Sequence, residues 1–101
     1  MPNESAESFR NNEEKKRYEL QGEQHTAIAD YILNKKGVIY LTHTEVPKEA
    51  EGEGMATRLI NKVMREIDDK DYELVPICPF VKVFLQRNPE WKRLLAEYAR
   101  F

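Results

Sequence analysis

Three places in this sequence combine residue types that can do chemistry. The first is Val46-Pro47-Lys48-Glu49-Ala50-Glu51-Gly52-Glu53-Gly54-Met55-Ala56, where two glycines stand immediately before a helical pattern. Glycine lets the backbone turn sharply there, and the first amides of the following helix have no intrahelical acceptor while its dipole adds partial positive charge. Such a loop can cradle an anion. It is not a Walker loop, because no Gly-x-x-x-x-Gly-Lys-Ser/Thr string occurs, and Thr57 stands where a dinucleotide fingerprint would need its third glycine. On its own, a Gly-x-Gly before a helix is equally an ordinary tight turn.

The second place is His43, whose side chain titrates nearest neutrality. Strict alternation puts it on a face with Ile39 and Leu41, so it reads either as a proton acceptor or as a hydrogen-bonded core histidine. The third is Cys78, at the expected C-terminal end of a strand and just before a helix start, where the helix dipole favours thiolate. Its neighbours Ile77, Pro79 and Phe80 suit a buried, inert thiol equally well. A single cysteine cannot close an intrachain disulfide or complete a thiol-rich zinc site, and His25 has no cysteine or second histidine at ligand spacing. No metal is expected.

The elements that must position these residues are readable from periodicity. Lys16 to Leu20 tends toward extended chain, and His25 to Leu33 alternates with a period of two after a glycine-containing turn. Asn34-Lys35-Lys36-Gly37 is the next turn, and Val38 to Val46 is rich in β-branched and aromatic residues. Together these predict an antiparallel three-stranded meander. Met55, Leu59, Ile60, Val63, Met64 and Ile67 then trace one face of a helix of roughly four turns. A fourth strand over Tyr72 to Cys78 follows, placed so that a parallel crossover is expected. Pro79 opens a short helix through Phe80, Val83, Phe84 and Leu85, and Asn88-Pro89 caps a last one carrying Trp91, Leu94, Leu95 and Tyr98. The order β-β-β-α-β-α-α describes an α+β fold with helices packed on a mixed, mostly antiparallel sheet.

Length and composition agree. A chain of 101 residues, 41% hydrophobic and 10% aromatic, supports one core and one domain. Residues 1–14 carry only Phe9 as a large apolar side chain besides Met1 and are expected to form a disordered tail, leaving 15–101 as the domain. The net charge of −2 argues against general attraction to nucleic acid or anionic membranes, and no apolar run approaches the roughly 18 residues of a membrane span. A cytoplasmic protein, monomeric or weakly dimeric, is expected.

The strings Leu41-Thr42-His43-Thr44-Glu45-Val46-Pro47, Gly52-Glu53-Gly54-Met55-Ala56-Thr57-Arg58-Leu59, Val75-Pro76-Ile77-Cys78-Pro79-Phe80-Val81 and Asn88-Pro89-Glu90-Trp91 resemble, in order and spacing, the small single-domain GNAT-like N-acetyltransferases. The resemblance spans roughly Arg17 to Leu95 and implies a minimal GNAT fold that binds acetyl-CoA. It implies that the backbone of Glu45 and Val46 lies beside the pantetheine arm, and that Glu51, Gly52, Glu53, Gly54, Met55 and Ala56 form the pyrophosphate loop. It marks His43 and Cys78 as the catalytic pair and places Phe84 and Asn88 beside the cofactor. One departure stands out: relatives commonly carry basic residues in the loop, whereas Glu51 and Glu53 bracket Gly52 here. Extra carboxylates lower the local potential and work against tight cofactor binding.

Acetyl transfer from a thioester to an amine needs the amine neutral, the carbonyl polarised and the departing thiolate reprotonated. His43 could take the amine proton; Cys78 could accept the acetyl group or protonate the coenzyme A sulfur. The positive excess of Lys82, Arg87, Lys92, Arg93 and Arg100 over Glu90 and Glu97 could meet the nucleotide phosphate or could be a solvated face. The expected activity is therefore acetyl-CoA-dependent N-acetylation of a small amine or a protein lysine. The alternatives are a non-catalytic acyl-CoA-binding module, to which Glu51 and Glu53 point, and an interaction domain in which the glycine loop is only a turn.

Overall fold

The computed structural model describes residues 7–99. Five strands form one sheet in the order β1-β2-β3-β4-β5. They are β1 (Ser8–Asn12), β2 (Arg17–Gln21), β3 (Thr26–Leu33), β4 (Val38–Glu45) and β5 (Glu73–Pro76). Neighbours are antiparallel as far as β4, and β5 runs parallel to β4 after the helix α1 (Met55–Asp69). A second helix, α2 (Pro79–Arg87), and a 3₁₀ helix over Pro89–Leu94 complete an α+β protein.

One face of the sheet is the core face. Ala27, Ala29 and Tyr31 of β3 alternate with the less buried Ile28, Asp30 and Ile32, and the buried set packs with Tyr18, Leu20, Ile39 and Leu41 against α1. The six residues predicted as the apolar stripe of α1 are its six buried residues. Each such Leu or Ile contributes about 1.5–3 kcal/mol by leaving water, which explains why a helix with a polar outer face holds here. Val81, Phe84 and Leu85 bring α2 into the same core. The β3–β4 turn is built by Asn34, whose Oδ1 accepts from Lys36 N and Val38 N at 2.9 Å each, with Gly37 at φ +83°.

Two expectations need correction. The meander has four strands, because residues 8–12 of the expected tail pair along the whole of β2, from Ser8 opposite Gln21 to Asn12 opposite Arg17. Their polarity is what holds them: Glu19 is 8% exposed and accepts from Arg10 Nε (2.7 Å), Arg17 Nε (2.8 Å) and Asn12 Nδ2 (3.2 Å). On the core face Phe9 stacks on Tyr18 at 5.6 Å, and Asn11 Oδ1 accepts from the buried Tyr31 hydroxyl at 2.7 Å. The first six residues of that expected tail lie outside the described residues.

The last helix is shorter than predicted. It is a 3₁₀ helix that ends at Leu94, after which Leu95 bridges to Leu74 in parallel and Ala96 N donates to Leu74 O at 2.9 Å. The backbone thus leaves the helix to extend β5, and Tyr98 stands exposed with its hydroxyl 3.2 Å from that of Tyr40 instead of joining an apolar stripe. Asn88 does not cap this element with its side chain; Nδ2 donates to Phe84 O at 3.0 Å and closes the end of α2.

Candidate active site

The site is built where β4 and β5 part. Their parallel register ends at Leu41 opposite Pro76, and Ile77 N and Cys78 N then both donate to the Leu41 carbonyl, at 3.0 and 2.9 Å. Pro79 starts α2 at once, its fixed φ suiting the first helical turn and its missing N–H not needed there. β4 continues to Glu45 paired with β3, and among the described residues no strand covers its other edge beyond Leu41. Unpaired backbone N–H and C=O groups along such an edge are ready to accept an extended ligand.

A β-bulge decides which side chains line this edge. Asp30 faces His43 and Tyr31 faces Leu41, so Thr42 is an extra residue on β4, and its Oγ1 donates to Asp30 O at 3.3 Å. The insertion switches the alternation. His43 therefore leaves the face of Ile39 and Leu41 and joins Asp30 on the outer face, where its side chain is 57% exposed. This corrects the expected alternation and removes the core-histidine alternative. Glu45 follows on the same outer face, with Oε1 3.7 Å from His43 Nε2. Thr44, opposite the fully buried Ala29, turns to the core face and accepts from Cys78 Sγ at 3.4 Å.

Cys78 is 4% exposed and stands at the N-cap of α2, with φ −64° and ψ 128°. His43 and Cys78 thus do not form a mutual hydrogen bond; they flank Thr44 on β4 from opposite sides of the sheet. Thr44 is the residue that holds Cys78, and it escapes sequence reasoning because nothing in the spacing reveals the bulge.

The glycine loop lies between β4 and α1. A 3₁₀ turn over Lys48–Ala50 leads into it, and Gly52 and Gly54 adopt φ +87° and +77°, a left-handed region that disfavours other residues. Gly54 is the N-cap of α1 and offers no side-chain cap, so the amides of Met55, Ala56 and Thr57 have neither a helical nor a capping acceptor. Among the described residues, a Cβ on Gly52 would have no atom within 4 Å. Glu51 and Glu53 are exposed. Arg58, in the first turn of α1, braces the loop by donating from Nη1 to Glu53 O at 2.7 Å, and it clasps Glu7 through Nε (2.9 Å) and Nη2 (2.7 Å). That guanidinium holds the Glu7 carboxyl below the usual carboxylate range, with Lys62 adding to the effect against the opposing pull of burial.

Phe84 is a buried core residue and Asn88 closes α2. The large apolar side chains of this region that face solvent are Ile77, Phe80 and Val83. Arg93 makes a two-pronged pair with Asp68 at 2.9 and 2.8 Å and lies over Trp91 at 5.5 Å, so it serves the fold. Arg100 lies outside the described residues.

The open mixed sheet, its parallel β4–α1–β5 crossover and the glycine loop at the head of α1 define a small α+β protein of the GNAT type. A family model described as GCN5-related N-acetyl-transferase matches residues 17–94. The chain belongs to the GCN5-related N-acetyltransferase family, which gives it a general acetyltransferase role. Among the described residues no helix is long and apolar enough to cross a membrane.

Proposed function

We propose that the protein is an acetyl-CoA-dependent N-acetyltransferase whose cofactor lies along the uncovered edge of β4, with its pyrophosphate on the amides of the glycine loop. The observation that carries this is the parting of β4 from β5 at Leu41, with the uncapped start of α1 reached through the glycine loop that follows the same strand. The residues fit the group: backbone of Glu45 and Val46 along the edge, the N–H groups of Met55, Ala56 and Thr57 for a diphosphate, and the exposed apolar side chains of Ile77, Phe80 and Val83. When bound, acetyl-CoA would supply the activated thioester from which an acetyl group can pass to an amine nitrogen.

The chain's own groups manage the protons. His43, exposed beside Glu45, accepts the proton that the amine must lose. Glu45 stands beside the imidazole, its Oε1 3.7 Å from Nε2, and puts a carboxylate next to the proposed base. Cys78, on the other side of Thr44, is the group that can return a proton to a departing thiolate.

The exposed carboxylates of Glu51 and Glu53 favour a second reading, an acyl-CoA-binding module without turnover. One experiment addresses both. Adding coenzyme A to labelled protein should shift the amides of Gly52 through Thr57, and acetyl-CoA should raise the melting temperature. Unmoved loop amides at millimolar coenzyme A would sink the assignment. Binding without acetylation of any amine in a broad panel would establish the module.

A further inference from the structure

A cavity of about 440 Å³ opens at the end of β4, lined by Arg17, Thr26, Ile28, Glu45 and the segment Val46–Lys48. Its size is that of a small-molecule site. The strand register places it on the outer face of the sheet: Ile28 lies opposite Glu45, and Arg17 lies opposite Asp30, which in turn faces His43. The proposed base is not itself a lining residue, but its Nε2 lies 3.7 Å from the carboxylate of Glu45, which is one.

The charges around this cavity are divided. On the β4 side are Glu45 and, one register step away, His43, while Asp30 of β3 stands between them and β2, opposite both His43 and Arg17. Toward β2 and the loop are Arg17 and Lys48. Arg17 gives Nε to Glu19, but Arg10 serves the same carboxylate, so that cluster of two guanidiniums and one carboxylate keeps a net positive charge. Ile28, Val46 and Pro47 are its apolar lining. An ammonium is attracted to Glu45 and delivered to His43, whereas a second ammonium on the same molecule meets Lys48 and Arg17 and is repelled.

We infer that this cavity is the acceptor site and that the acceptor is a small aminocarboxylate, its amine held by Glu45 beside His43 and its acid group by Lys48 and Arg17. The inference rests on the acetyltransferase assignment for its chemistry, but its binding test does not need the cofactor. Polyamines and strongly basic peptides are excluded by the same charges. The pantetheine strand and the acceptor share Glu45 without conflict, since one uses its backbone at the β4 edge and the other its side chain on the outer face.

The test is an NMR titration of the full chain, without coenzyme A, by three amines of matched length: δ-aminovalerate, pentylamine and cadaverine. δ-Aminovalerate should shift the amides of Thr26, Ile28, Val46 and Lys48 saturably and bind at least fivefold more tightly than the other two. Lys48 is exposed, so Lys48→Glu leaves the fold intact and should reverse the order, with cadaverine binding best. The inference is overturned if no amine shifts these amides saturably, if cadaverine matches δ-aminovalerate on the unaltered protein, or if Lys48→Glu leaves the order unchanged. Failure of the cofactor assignment would instead appear at Gly52 through Thr57 on adding coenzyme A.

Discussion

Replacing Glu19 by Gln tests how the first strand is held. The carboxyl is brought from an ordinary 4.5 to about 2, by Arg17 first, then Arg10 and Asn12, against burial, which pushes it the other way. A lowering of that size corresponds to about 3 kcal/mol at neutral pH. Arg10 is 65% exposed, however, and solvent screening reduces the expected contribution to about 1–2 kcal/mol. For a domain of this length that is a fall in melting temperature of roughly 5–15 °C. Because the folded value lies below the unfolded one, the stabilisation is complete above about pH 5 and disappears as the pH falls toward 2. Thermal melts of both proteins across that range should show a gap at pH 7 that closes in acid. Hydrogen exchange at pH 7 should show faster exchange of the Ser8–Asn12 amides in the variant. A gap that is absent at pH 7, or that stays constant into acid, would refute an ionic basis for β1.

Leu59→Ala, at a fully buried position of α1, should cost about 2–5 kcal/mol in denaturant unfolding. Gly54→Ala should lose about 1–2 kcal/mol from its left-handed backbone, and somewhat more than Gly52→Ala, because its Cβ would sit 3.3 Å from Arg58 Nη1 whereas that of Gly52 meets none of the described residues. His43→Ala should leave stability within about 0.5 kcal/mol, since the side chain is exposed, while acetylation falls about 10²–10⁴-fold; a large loss of stability would show the outer-face placement to be wrong.

Much of the architecture was legible because it obeys a single period. The stripe from Met55 to Ile67 and the alternation from Ala27 to Leu33 each have one solution, and the placement of Cys78 before Pro79 follows from proline's preference for a first helical turn. What escaped was set by contacts distant in sequence. Residues 8–12 look too polar to fold, yet Arg10 and Asn12 are matched to a carboxylate on the neighbouring strand that composition cannot pair with them. Leu95 fits a helical stripe, but its backbone is claimed by Leu74. The site shows the same division. The glycine loop is visible from its spacing, whereas the face of His43 depends on one inserted residue, Thr42, and alternation carried through it assigns every later side chain of β4 to the wrong side.

The shared carbonyl of Leu41 has a further consequence. Two successive donors on one acceptor pin the point at which the parallel pair ends, and the proline that follows commits the chain to a new direction without slack. The fork is therefore a fixed angle rather than a hinge. A molecule that enters it does no work in opening the sheet, so its association rate should follow collision frequency and ionic strength, without the slow phase of a gated enzyme.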